Sequence, residues 1–120
     1  MIGIIGAMDE EVEQIVAVMD IEREETKAQM TFKAGKLAGK DVVIVRSGIG
    51  KVNAAVCTQI LVDDFGVDYV INTGIAGSLK NEINIADIVI SDDVLITIWM
   101  QQALAMHPVR FREWIRSHLR

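Results

Sequence analysis

Ile2-Gly3-Ile4-Ile5-Gly6-Ala7-Met8-Asp9-Glu10-Glu11-Val12 opens the chain, and its reading decides the fold. The apolar run 2–6 closes on a glycine, the pattern of a buried strand ending in a tight turn. Over residues 9–19, Val12, Ile15, Val16 and Met19 recur at helical spacing, with Asp9 placed to cap the helix. A strand that turns at once into a helix is half of an α/β unit.

The rest of the chain continues the alternation. Residues 22–27 read as a charged connection with some strand character. Residues 31–37 alternate in polarity, Gly39-Lys40 supplies a turn, and 42–45 form a second strand, so the two pair antiparallel. Ser47-Gly48-Ile49-Gly50 is a loop, and a second helix runs over 51–65 to be closed by Gly66. A buried strand is expected over 68–72, a turn over 73–77 and a last strand over 85–90. The predicted class is α/β: flanking helices cover a mixed, mainly parallel sheet.

The chain has 120 residues, enough for one domain with a true core. An apolar content of 51% fits strands buried on both faces, and the mean hydropathy is +0.31. A formal charge of −5 argues against nucleic acid or an anionic membrane as partner. Cys57 is alone, which excludes an internal disulfide and fits a reducing, cytoplasmic setting; Ala54, Ala55 and Val56 beside it favour a packed thiol. The opening lacks the basic flank of a secretory signal, and no apolar run is long enough to span a bilayer.

In such sheets ligands sit outside the carboxyl ends of the strands. Three turns of small residues fall there: Gly6-Ala7-Met8, Ser47 to Gly50, and Thr73 to Gly77. Gly3-Ile4-Ile5-Gly6 is not G-x-G-x-x-G, the acids at 9–11 would repel a pyrophosphate, and there is no Walker loop. Those acids can simply favour the helix dipole, or one of them, partly desolvated in a strand-end crevice, can serve as a general base; the residues alone leave both open. His107 and His118 pair with no Cys or acid at ligand spacing, so neither a metal site nor a Ser/His/Asp triad is expected.

Four segments, in order, carry a resemblance. Gly3 to Val12, Arg46-Ser47-Gly48-Ile49-Gly50-Lys51-Val52-Asn53-Ala54-Ala55, Ile71-Asn72-Thr73-Gly74-Ile75-Ala76-Gly77-Ser78 and Asp87-Ile88-Val89-Ile90-Ser91-Asp92-Asp93 together resemble the bacterial 5'-methylthioadenosine/S-adenosylhomocysteine nucleosidases. The resemblance covers residues 1–94. It implies the N-terminal part of a nucleoside-phosphorylase-like α/β sandwich, a homo-oligomer, no cofactor, and adenine nucleosides as small-molecule partners. It implies hydrolysis of the N-glycosidic bond with Glu11 as the base that deprotonates water. Met8 would lie against the ribose, Ile49 would line the 5'-alkylthio pocket, and Ile75, Ala76 and Gly77 would form the loop beneath purine and sugar. Many members carry Ser where this chain has Ile75, so no hydroxyl contact is assigned there. The wider superfamily includes purine nucleoside phosphorylases, an alternative that would need a cationic phosphate site. A non-catalytic adenine-binding or self-associating module is the other alternative.

The resemblance stops at Val94. Residues 1–94 contain no Trp, His or Pro, whereas 95–120 hold both Trp, both His and the single Pro but none of the nine Gly. The acidic balance also reverses: the last 26 residues carry four Arg and only Glu113. The family's catalytic aspartate, its ribose-gripping Met-Glu pair and its adenine-stacking aromatic have no counterpart there, so little or no turnover is expected of the chain. Read one base out of frame, codons for Trp99, Met100 and Gln101 force Asp-Ala, and the surrounding codons permit Tyr-His-Asp-Met before it and Thr-Gly-Phe-Gly-Tyr after it, the family's continuation. The expectation is a nucleosidase-like domain over 1–94 and an out-of-frame tail over 95–120, helical from Pro108 with an apolar stripe of Phe111, Trp114, Ile115 and Leu119. The alternative is a natural short variant with its own terminal helix. Sequencing the gene across codons 93–112 decides it: the shifted frame must spell His-Asp-Met-Asp-Ala, and any other reading ends the idea.

Overall fold

The computed structural model describes residues 1–91. The chain divides into two compact units, Met1–Gly77 and Ser78–Arg120. The expected tail helix lies outside the described residues.

In the first unit the elements run β1 (Ile2–Gly6), α1 (Asp9–Ala17), β2 (Asp20–Lys27), β3 (Met30–Leu37), β4 (Lys40–Arg46), α2 (Lys51–Phe65) and β5 (Tyr69–Asn72). The strands form one sheet in the order β2-β3-β4-β1-β5. β1 is parallel to β4 and to β5, while β2-β3 and β3-β4 are antiparallel, so the α/β class and the mixed sheet are as expected, with the pairings evenly divided.

Side chains alternate across β1 and β4, and each face meets a different helix. Ile4, Val42 and Ile44 pack with Val12 and Met19 on the α1 side. Ile5, Val43 and Val45 pack with Phe32, Cys57, Leu61 and Phe65 on the α2 side. That double burial is why both strands read as unbroken apolar runs. Phe32 and Phe65 stack with centroids 5.2 Å apart. The Cys57 thiol is fully buried, and burial pushes its pKa up to about 11, so it is an inert packing group. α2 ends where Gly66 takes the left-handed conformation (φ 61°).

Four expectations need correction. The N-cap of α1 is Met8, not Asp9, and the helix stops at Ala17. The cap position goes to the residue whose N–H is served by the Glu11 carboxylate three residues on. Residues 22–27 are no mere connection but most of β2, a full edge strand. Its outer edge and most of its side chains meet solvent, so no alternating apolar pattern is required, and charge guards the edge. Arg23 and Lys27 hold it down by lying over the Phe65 ring, at 5.1 and 5.6 Å from its centroid. β5, expected to be buried, is exposed along its length, with Ile71 at 51%, because β1 is its one partner among the described residues.

In the second unit residues 85–90, expected to be a strand, form none. Local polar bonds shape that stretch instead: the Asn84 N–H donates to Asp87 Oδ2 at 2.8 Å, and Ala86 sits at φ 75°. Isoleucines 85, 88 and 90 are almost wholly exposed, so among the described residues nothing rewards extending the backbone.

Candidate active site

Because β1, β4 and β5 are mutually parallel, their carboxyl ends share one rim of the sheet, and the three small-residue turns meet there. Backbone bonds tie the turns together. The Ser47 N–H donates to the Gly6 carbonyl at 2.9 Å, and the Thr73 N–H donates to the Ile5 carbonyl at 2.9 Å. Ser47 itself is buried and gives its hydroxyl proton to the Gly48 carbonyl at 2.8 Å. α1 starts at this rim, and its first turn carries Asp9, Glu10 and Glu11.

The three acids have separate fates. Asp9 is neutralised by Arg46, whose Nε lies 3.0 Å from Asp9 Oδ1. Glu10 is exposed. Glu11 turns inward to the rim, where Oε2 accepts the N–H groups of Ala7 at 2.7 Å and Met8 at 3.2 Å. Its Oε1 accepts the N–H of Ile75 at 3.1 Å, from the loop after β5, 64 residues away. Capping α1 requires only the bonds at Oε2; the bond from Ile75 ties the base of one turn to the top of another.

These donors hold the Glu11 carboxyl below its ordinary range, the Ile75 bond most strongly and Ala7 next, against a smaller upward push from desolvation. The group is therefore ionised at neutral pH. A carboxylate has about four lone-pair sites. Oε2 has spent both of its own, while Oε1 has spent one. A single acceptor direction is left, on Oε1, for a water molecule or a hydroxyl.

The residues singled out from sequence fall into two groups. Glu11, Met8 and Ile75 are joined by the hydrogen bonds just given. Ala76 and Gly77 follow on the same exposed loop, with Ile75 side chain facing outward (84% exposed). Ile49 sits on the β4–α2 loop, 76% exposed, and its carbonyl accepts the side-chain N–H of Asn53 at 2.9 Å. Sequence reasoning missed Ala7 and Gly74 as parts of the site. Ala7 acts through its backbone N–H, which has no side-chain signature; only its place in the strand-to-helix turn hinted at it.

A groove of about 400 Å³ opens beside α1, over β3 and β4, lined by Asp9, Val12, Glu13, Val16, Thr31, Lys33 and Arg46 among others. Glu11 is not part of its wall, so the groove lies apart from the ionised carboxylate at the rim. Among the described residues no group of His, Cys, Asp and Glu is placed to hold a metal ion.

A parallel-centred sheet flanked by helices, with a carboxylate gripped at the strand-end rim, defines an α/β protein of the class whose ligands, where they bind, sit outside the carboxyl ends of the strands. The sequence profile of the phosphorylase superfamily matches residues 1–108, and the chain belongs to that superfamily. Over 94 residues it is 54% identical to the 5'-methylthioadenosine/S-adenosylhomocysteine nucleosidase of Marinomonas sp. (strain MWYL1), covering 78% of this chain and 41% of that protein. The protein of the same name from Shewanella oneidensis is 52% identical over 93 residues, 78% of this chain and 39% of its own. Among solved structures, the nucleosidase of Colwellia psychrerythraea 34H in complex with adenine superposes with a TM-score of 0.76 at 49% identity, covering 78% of this chain and 39% of that one. The futalosine hydrolase of Helicobacter pylori superposes with a TM-score of 0.66 at 34% identity, over 72% of this chain and 37% of its own. The chain thus spans about two fifths of the length of the relatives it matches.

Proposed function

We propose that this chain carries the water-activating part of an N-glycosidase site that releases adenine from 5'-methylthioadenosine and S-adenosylhomocysteine. Water oxygen bonds to the anomeric carbon, the bond from that carbon to adenine N9 breaks, and Glu11 takes the proton that water loses. Adenine leaves with a proton supplied by an acid. The observation that carries the reading is the ionised Glu11 carboxylate with one open acceptor direction on Oε1. A carboxylate held below its usual pKa is a weak base, but an oxocarbenium-like sugar is a strong electrophile. Water attacking it needs aim and late proton removal more than basicity.

The same geometry argues against phosphorolysis. A phosphate in place of the water beside Glu11 would need free N–H donors and a free cation around that carboxylate. The donors at Ala7, Met8 and Ile75 are spent on Glu11, and Arg46 is spent on Asp9. No residue of 1–94 matches the family's acid, so turnover by this chain alone is expected to be small, with 95–120 read as an out-of-frame tail even though the superfamily profile runs on to residue 108. The exposed Val52, Val56 and Val62 on α2 support self-association, and the lone buried Cys57 supports a reducing, cytoplasmic setting. The proposed reaction needs no cofactor, and no described helix is long and apolar enough to cross a membrane.

The test is adenine release from 5'-methylthioadenosine at enzyme excess, with and without phosphate, beside calorimetry with adenine. Slow release unaffected by phosphate is the expected result. Release that rises in proportion to phosphate would replace hydrolysis by phosphorolysis, and adenine binding with no release would leave a binding module.

A further inference from the structure

We propose that Gly74 is a positioning residue for Glu11: the absence of a side chain at 74 is what lets the carboxylate reach the Ile75 N–H and present its open Oε1 direction at the rim. The inference rests on the reading of Glu11 as the base.

A β-carbon built on Gly74 would lie 2.5 Å from Glu11 Oε1, 2.9 Å from Cδ and 3.2 Å from Oε2. All three nearest atoms belong to one carboxylate. Several other glycines of the chain have different reasons to be glycine. Gly48, Gly50 and Gly66 have φ values of 80°, 107° and 61°, where an L side chain is strained. At Gly6 an added β-carbon would strike Val12 Cγ1 at 2.6 Å, in the packed base of α1. Gly74 is not among the positive-φ residues, so its backbone conformation is open to alanine. Its glycine leaves room for the carboxylate rather than easing the backbone.

The consequence is specific. A methyl group at 74 meets the far end of a flexible side chain, which can swing away without moving the sheet. Swinging away breaks the bond from Ile75, the largest cause of the lowered Glu11 pKa, and moves the one oxygen with a spare acceptor direction. A displacement on the order of 1 Å at a reacting group can cost about 100-fold in rate.

The experiment compares wild-type protein, Gly74→Ala, Glu11→Ala and the double variant. In the carbon-detected NMR titration of the Glu11 carboxyl, Gly74→Ala is expected to move the midpoint up toward the ordinary glutamate value, with the fold intact. In thermal melts the change caused by Gly74→Ala is expected to disappear in the Glu11→Ala background, where the carboxylate is gone. An unmoved titration, an unfolded single variant, or the same loss of melting temperature with and without Glu11 would each overturn the proposal. Failure of the parent reading looks different: Glu11→Gln would then leave adenine release unchanged while the titration of Gly74→Ala still moved.

Discussion

Glu11→Gln is expected to remove the small adenine release that this chain supports, since a general base is usually worth about 10² to 10⁴-fold in rate. The two side chains are isosteric, so the loss isolates charge and proton acceptance. The three N–H donors fix how the amide would sit. Ala7 and Met8 both point at Oε2, so the glutamine oxygen goes there. Its NH₂ group then faces the Ile75 N–H, donor against donor, at the oxygen position meant for water. The variant loses the base and loosens the β5 loop together. Single-turnover release of adenine, followed by chromatography at enzyme excess, measures the first effect; release within threefold of wild type would remove Glu11 from the mechanism. An acid titration of stability checks the second. The folded pKa lies below the unfolded one, so the contribution of Glu11 is complete above the unfolded value of about 4.3 and is lost as pH falls through the folded value. Glu11→Gln should flatten that part of the acid limb.

The parts of the fold legible in the sequence were those whose own pattern carries the information. β1, β4 and α2 fall within a residue or two of their expected limits, because double burial makes an apolar run and Gly66 marks a helix end. The failures share a cause in partners. β2 shows little apolar pattern because its value lies in lending an edge to β3, and the turn between them uses Ala28 and Gln29 at φ 49° and 62°, with no Gly, Asn or Asp to announce it. β5 read as a buried strand and residues 85–90 as a last strand because Ile and Val favour sheets wherever a neighbour exists, and sequence does not say whether one does.

The site was legible in a similar, partial way. Three acids at a helix start are ordinary, and nothing in residues 9–11 alone distinguishes Glu11 from Glu10; the family resemblance did. What the fold adds is the reason for the choice: Glu11 is the acid whose position on the first turn aims back at Ala7 and across to Ile75. Backbone donors carry no residue identity. A site built from them is invisible until the turns are brought together, and Gly74 gains its meaning only beside a carboxylate that is 63 positions away in the chain.

The largest effect on folding is expected from Gly35→Ala, at about 3 to 5 kcal/mol, a large part of the 5–15 kcal/mol that holds a typical domain together. Gly35 pairs with Ile21 on one side and Val42 on the other, next to the place where β2 slips its register between Ile21 and Arg23. The bulge brings the β2 backbone across the Gly35 α-carbon. An added β-carbon would overlap the Asp20 carbonyl oxygen and stand 2.9 Å from its carbon and 3.0 Å from the Glu22 nitrogen. Every one of these atoms is main chain, so no side-chain rotation relieves the contact. β2 has to move off β3, and with it go the Arg23 and Lys27 contacts over Phe65 that cover the α2 side of the core. Lys36→Ala, one residue on, is the control: Lys36 pairs with Asp41 at the exposed surface at 2.6 Å, and its loss should leave the urea midpoint close to that of wild type. Urea denaturation of the two variants beside wild type separates them. If Gly35→Ala unfolds at the same urea concentration as Lys36→Ala, β2 does not press on β3 as described, and the antiparallel edge is looser than the parallel centre of the sheet.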